Sequence, residues 1–235
     1  MGKNRLQDII DILRGKKLPL KELSKNNNID IPKKLLKNIT LEITGKNNTI
    51  RITPPLKNNH IHVVIFGDNN EITINENVAI GKKLSIRIGF NFPNHGKANN
   101  TKFIIGKNTS LEEVEYMTYN SNVFCEIGDS CMLSHGIKIY NTDAHPIFDL
   151  STKKLINKVK GIKIGNNSWI GMNSVILKNS IIPDWSILGC NTVFSGKKFT
   201  KTNCIFAGNP ARMVKENVYW DANGAKCGYI ENLQE

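Results

Sequence analysis

Long apolar runs are missing from this 235-residue chain. No stretch reaches the ~18 consecutive apolar residues that a membrane-spanning helix needs, and the first residues hold no apolar core of a secretory leader. Cysteine is sparse and unpatterned. Cys125, Cys131, Cys190, Cys204 and Cys227 are odd in number and form no CxxC pair, so reduced, mostly packed thiols of a cytoplasmic protein are expected rather than a disulfide framework. The five histidines do not show zinc-site spacing, and no metal is expected. Acidic side chains are outnumbered: 20 Asp+Glu stand against 32 Lys+Arg, a formal net charge of +12. That excess suggests an anionic partner, be it nucleic acid, a phosphate-bearing cofactor or an acidic glycan. Part of it is compositional, because Lys, Asn and Ile are used heavily even in turns such as Lys46-Asn47-Asn48. Aromatic residues make up 7% and are not interleaved with basic stretches, which argues against nucleic acid.

What is present is a period. From Ile164 to Phe199 the chain reads in sixes beginning at Ile164, Ile170, Ile176, Ile182, Leu188 and Phe194. Each hexad opens on a large apolar residue, the fifth place holds Ser168, Ser174, Ser180, Ser186 and Thr192, and the second place is Gly three times. A helix would put apolar residues at i, i+3, i+4 and i+7, and an ordinary strand would alternate strictly. Six-residue steps with small corner residues fit instead a parallel β-helix, whose short flat sides stack at about 4.8 Å.

The hexad frame also holds at Ile127, Leu133 and Ile139, then breaks. Residues 145–161 leave the period as a loop between well-formed coils, and long loops in compact folds are usually functional. Upstream, Gly45-Lys-Asn-Asn-Thr-Ile-Arg-Ile52 is echoed at Gly67 and more weakly at Gly81, as irregular early coils. Residues 1–14 present Leu6, Ile9, Ile10 and Leu13 on one helical face. The expected organisation is an N-terminal helical arm or cap over 1–38, a β-helix over 39–212, and a tail over 213–235 that packs back on the last coils.

His145 occupies a slot where the frame asks for an aliphatic residue, and Pro146 stiffens the exit from the coil. An imidazole there suits a general base for a sugar hydroxyl at neutral pH; a loop histidine with a satisfied hydrogen bond has the same appearance. Asp143 could orient the ring, as could an acid from another coil such as Glu115. His135 reads as structural or substrate-facing.

Asn141-Thr-Asp-Ala-His-Pro-Ile-Phe-Asp149, Ser168-Trp-Ile-Gly171 and Ala207-Gly-Asn-Pro-Ala-Arg212 follow in that order. With the hexads they closely resemble the hexapeptide-repeat acyltransferases, above all the O-acetyltransferases of capsule and lipopolysaccharide sugars. The resemblance is specific over residues 125–216, weaker over 39–124 and absent from the arm. It implies a left-handed β-helix of triangular section with three hexads per coil, against the usual right-handed crossover. It also implies an acetyl-coenzyme A-dependent O-acetyltransferase, a homotrimer with each active site in a cleft between adjacent β-helices. The 145–161 loop would cover the saccharide acceptor. His145 would be the general base for direct attack on the thioester, since no cysteine matches a nucleophile position of the family.

The resemblance further implies that Trp169 borders the acetyl group and the catalytic His145. With three hexads per coil, Gly171 and Gly189 stack at one corner, where the pantetheine arm would pass beside Met172 and Cys190, and the Met172 N–H would serve as oxyanion donor. Ser195, Lys197, Lys198, Arg212 and Lys215 would follow on the same side, facing the phosphates of coenzyme A. Relatives often carry Thr-Lys-Asp where this chain has Ser195-Gly-Lys-Lys. The positive charge mildly favours an acidic sugar. N-acetylation of an amino sugar and a non-catalytic, glycan-binding β-helix are the alternatives.

Overall fold

The computed structural model describes residues 20–54, 56–91, 96–196 and 198–222. The amphipathic pattern of residues 1–14, His95, Lys197, Cys227 and the end of the tail lie outside these. The described chain is a left-handed parallel β-helix with three flat faces. The first face stacks Asn28–Asp30, Thr49–Ile52, Glu71–Ile74, Lys102–Ile105, Phe124–Ile127, Gly161–Ile164 and Ile181–Ile182. The second runs from Leu56–Asn58 through the starts of Val78–Ile88 and Ser110–Thr118 to Met132–Leu133, Trp169–Ile170, Ile187–Leu188 and Cys204–Ala207. The third stacks Ile39–Thr44, Ile61–Phe66, the ends of the two long strands, Ile137–Tyr140, Val175–Leu177 and Val193–Phe194.

The hexad openers predicted to point inward do so. Ile164, Ile170, Ile176, Ile182, Leu188 and Phe194 are all buried, as are Ile127, Leu133 and Ile139. The corners have a chemistry the period alone did not reveal. Asn167, Asn173, Asn179, Trp185 and Asn191, each in the fourth place, sit at φ between 55 and 63°. Asparagine tolerates this left-handed region better than other side chains, so much of the asparagine excess is corner chemistry. The small residue that follows is buried; Ser180, Ser186 and Thr192 donate to the carbonyl three places back, as Ser186 Oγ does to Pro183 O (2.6 Å), while Ser168 and Ser174 donate to Pro183 O and Gly189 O of the next coil.

The early coils are wider than the late ones. Ile39 pairs with Ile61 and Asn48 with Asn70, a step of 22 residues. Ile164 pairs with Ile182, and the step there is 18 residues. The third face of a wide coil buries three side chains, such as Ile61, Val63 and Ile65, where a late coil buries one. The corners of the first wide coils carry a buried asparagine ladder in place of hydroxyls: Asn48 Nδ2 donates to Asn27 Oδ1 and Asn70 Nδ2 to Asn48 Oδ1, both at 2.9 Å.

One expected boundary moves, and one break in the stack is new. The sheet already includes Asn28–Asp30, paired with Thr49–Arg51, inside the segment expected to be an arm; Lys33–Asn38 forms a 3-10 turn between coils. A second departure from the period falls within residues 89–101, of which 92–95 lie outside the described ones: Glu71 pairs with Lys102, two coils below the loop that follows Tyr140. The described part of the tail lies against the last coils. Arg212–Glu216 pairs antiparallel with Cys204–Ala207, and Trp220 Nε1 donates to Asn167 O (2.6 Å).

Candidate active site

The change of circumference creates the site. After Tyr140 the last wide coil continues through Asn141 and Thr142, both buried, whereas the narrow coil above turns at Lys178 directly after Leu177. The excursion leaves the stack at this step, on the edge between the third and first faces. A cleft of about 430 Å³ opens there, lined by Tyr119, Asn120, Thr142 to Pro146, Leu155 and Asn157 to Val159. His145 stands exposed on its rim.

The backbone under His145 is tightly specified. Its N–H donates to Asp143 O (2.7 Å) across Ala144 at φ +62°, a three-residue turn of the rarer, strained sense. Asn157, across the loop, holds that turn in place. Its Nδ2 donates to His145 O (2.9 Å) and Asp143 Oδ2 (2.7 Å), and its Oδ1 accepts from Ile147 N (2.8 Å). Lys178 Nζ lies 2.6 Å from Asp143 Oδ2 and donates to Asn157 O (3.3 Å). The carboxylate of Asp143 is thus engaged by Lys178 and Asn157, while that of Glu115 accepts from the Tyr140 hydroxyl (3.4 Å). Beyond the lock, the excursion is a hairpin bridged between Phe148 and Leu155. Its tip is fixed by Asp149, whose carboxyl is held down at about 2 by hydrogen bonds from the Ser151 hydroxyl and from Thr152. Ile147, Phe148, Leu150, Leu155 and Ile156 project from the hairpin into solvent.

The remaining candidates lie elsewhere on the prism. Gly171, Met172, Gly189 and Cys190 do stack at one corner, the edge between the second and third faces, with Met172 45% exposed. Stacking already explains Gly171: a Cβ there would meet Leu188 O at 2.6 Å and Cys190 N at 2.8 Å. Gly189 is less constrained, its nearest neighbour being Ala207 Cβ at 3.4 Å. Arg212 and Lys215 are exposed on the final strand, against Ala207 and Ile205. The expectation of one shared side fails for Ser195 and Lys198, which turn the same edge that carries His145. The reason is circumference: they lie one face further round the coil than Cys190.

Trp169 lies on the second face, packed near Trp220 (6.0 Å between centroids), and its buried indole N–H has no acceptor among the described residues. It does not line the His145 cleft. His135 sits on the glycine edge one coil below Met172, 3.9 Å from Glu112, beside a second groove of about 360 Å³. Cys125 and Cys131 are buried, and burial pushes the Cys131 thiol up to about 12. No group of three His, Cys, Asp or Glu side chains stands together among the described residues, and none of their helices is long and apolar enough to cross a membrane. Asn157 and Lys178 were missed by sequence reasoning; the one available signal was that both flank the interrupted coil.

Known proteins resemble this chain in sequence and in fold. Residues 161–196 match the family described as bacterial transferase hexapeptide (six repeats). The chain is 35% identical over 188 residues to the polysialic acid O-acetyltransferase of Neisseria meningitidis, covering 75% of this chain and 86% of that protein. It is also similar to two solved structures. The polySia-specific acetyltransferase NeuO superposes with a TM-score of 0.68 at 28% identity, covering 83% of this chain and 82% of that one. The polysialic acid O-acetyltransferase OatWY gives 0.64 at 31%, covering 83% and 88%. Matched along most of its length by these enzymes, the chain belongs to the hexapeptide-repeat acyltransferases and is an O-acetyltransferase.

Proposed function

We propose that this protein moves an acetyl group from acetyl-coenzyme A to a hydroxyl of an acidic, sialic acid-containing capsule polysaccharide, in the cytoplasm. The observation that carries the reading is His145 on the rim of a cleft, its backbone pinned by Asn157. In the proposed reaction the imidazole takes the proton of the acceptor hydroxyl as its oxygen attacks the thioester carbonyl. The Met172 N–H stabilises the oxyanion. Collapse expels the coenzyme A sulfur, which receives the proton back from the imidazolium, leaving the acetyl ester and free thiol.

The enzyme works as a homotrimer in this proposal. His145 and the glycine corner occupy different edges of one prism, so one cofactor reaches both only between two copies. A three-fold axis parallel to the coil axis keeps every residue at its own height. His145 leaves the stack between the levels of His135 and Met172, so those are the residues it would meet on a neighbour. The exposed apolar hairpin supports the same arrangement. Coenzyme A then lies between Gly171, Met172, Gly189, Cys190 and Arg212 of one copy and Ser195 and Lys198 of the other, with Trp169 and Lys215 at its two ends. Asp143 acts on His145 through the turn that Lys178 and Asn157 hold.

The test is thiol release from acetyl-coenzyme A with acidic and neutral capsule glycans, followed by mild alkali. Release with the acidic glycan, an alkali-labile acetyl group, and their loss in His145→Ala are expected. An alkali-stable product would mean N-acetylation, and an unaffected His145→Ala would overturn the mechanism.

A further inference from the structure

The wall of the His145 cleft continues downward past the residues that line it. Tyr119, part of the lining, packs on Phe90 with ring centroids 5.3 Å apart. Phe90 in turn lies under the guanidinium of Arg87, 5.8 Å from the ring centroid. Arg87 points outward from the third face and belongs to a column fixed by strand register: it pairs with Met117, which pairs with Tyr140, the last strand residue before the histidine turn. Two coil spacings therefore separate its level from that of Tyr140, about 10 Å along the axis.

Arg87 is half-buried, yet none of the ion pairs among the described residues includes it. Of the neighbouring charges, Lys178 is paired with Asp143, and Glu115, the nearest acid by register, accepts from the Tyr140 hydroxyl and makes no direct ion pair with Arg87. A partly desolvated cation without a direct ion pair is costly. An aromatic face offsets part of that cost and leaves the planar N–H fork available to a carboxylate. The two rings between Arg87 and the cleft offer flat apolar surface of the kind that packs on the C–H face of a sugar. The cation, the aromatic shelf and the base thus follow one another along a single edge.

We propose that Arg87, with Phe90 and Tyr119, forms a subsite that binds a carboxylate of an acidic glycan while another part of that glycan presents its hydroxyl to His145. This rests on the proposed acceptor class and adds the residue that reads its charge. Arg87 is a specificity residue: it holds the acceptor and touches no reacting atom.

The experiment compares an oligosaccharide of sialic acid with the same oligosaccharide after its carboxylates are reduced to hydroxymethyl groups. Binding is measured by titration without acetyl-coenzyme A, and transfer is measured separately. Arg87→Met is expected to weaken binding of the acidic glycan, and raise its KM, about ten- to a hundredfold. It should leave the reduced glycan, the KM for acetyl-coenzyme A and the melting temperature unchanged. Arg87→Lys, which keeps the charge and loses the fork, falls between. Equal losses on both glycans, no change on the acidic one, or no acidic-glycan binding by the unaltered protein would overturn the subsite. Arg87-dependent binding without any acetyl transfer would instead leave the subsite standing and sink the proposed reaction.

Discussion

The wide coils and the narrow coils use the same inward isoleucines and solve their corners differently. The first 22-residue circuits join their corners through a buried asparagine ladder, and their third face is deep enough for three inward side chains. In the 18-residue circuits the corners are closed by serine or threonine hydroxyls, while the stacking is tight in both: a Cβ would meet backbone of the next coil at Gly106 and Gly128 as it would at Gly171. The narrow stack resembles a crystal in that one misplaced atom displaces the next layer. The proposed active site lies at the step between the two, where a loop can leave without opening the core.

Exchanging the demands of the step and the stack would break this contrast most directly. His145→Ala should lower acetyl transfer by about 10²- to 10⁴-fold with an unchanged melting curve, because the side chain stands outside the core. Gly171→Ala should do the reverse in its first effect. Its Cβ meets backbone of the next coil, so denaturant unfolding should show a loss of about 1–3 kcal/mol. Gly189→Ala, with ordinary contact distances, should stay within about 0.5 kcal/mol. Equal losses at the two glycines would mean that the narrow stack yields more readily than its geometry implies.

Asn157→Ala sharpens the comparison within the loop. It removes the hydrogen bonds that fix the His145 turn while leaving both coils intact. We expect kcat to fall by about ten- to a hundredfold with little change in KM for acetyl-coenzyme A or in melting temperature. Asn157→Asp, which keeps the acceptor for Ile147 and loses both donors, should fall with it. The smallest effect concerns the hairpin tip. The carboxyl of Asp149 lies at about 2 in the folded loop, against an ordinary value of 3.8. The ionised form therefore supports the tip above the ordinary value, and that support is lost as pH falls through about 2. The Ser151 and Thr152 amide resonances should titrate with that midpoint, and Asp149→Asn should abolish the transition. A midpoint near 4 would mean that the tip is not closed by those bonds.

Much of the narrow stack was legible because its pattern is strictly local. Every inward residue from Ile164 to Phe194 could be named from the hexads, and His145 stood out as the wrong residue type in a regular slot. The 22-residue period was less visible. Gly45 and Gly67 mark it, but the 89–101 excursion breaks it before a third clear repeat. The corner role of Asn167, Asn173, Asn179 and Asn191 was available in the spacing and was hidden by reading asparagine as bias. Asn157 and Lys178 could not be found in the same way, since 14 residues separate Asn157 from Asp143 and nothing in the hexad that holds Lys178 points to either of them.

By itself the sequence determined a coiled β-structure, the residues that fill it and the histidine that interrupts it, because a periodic pattern of side-chain size dictates a periodic backbone. Only the tertiary structure decided which edge each candidate occupies. Edge assignment depends on the number of residues per circuit, and that number is set by how many inward side chains each face can pack. Within the 18-residue circuits the six residues from Gly189 to Ser195 advance the chain by one face, which puts Ser195 and Lys198 on a different edge of the prism from Gly171 and Gly189.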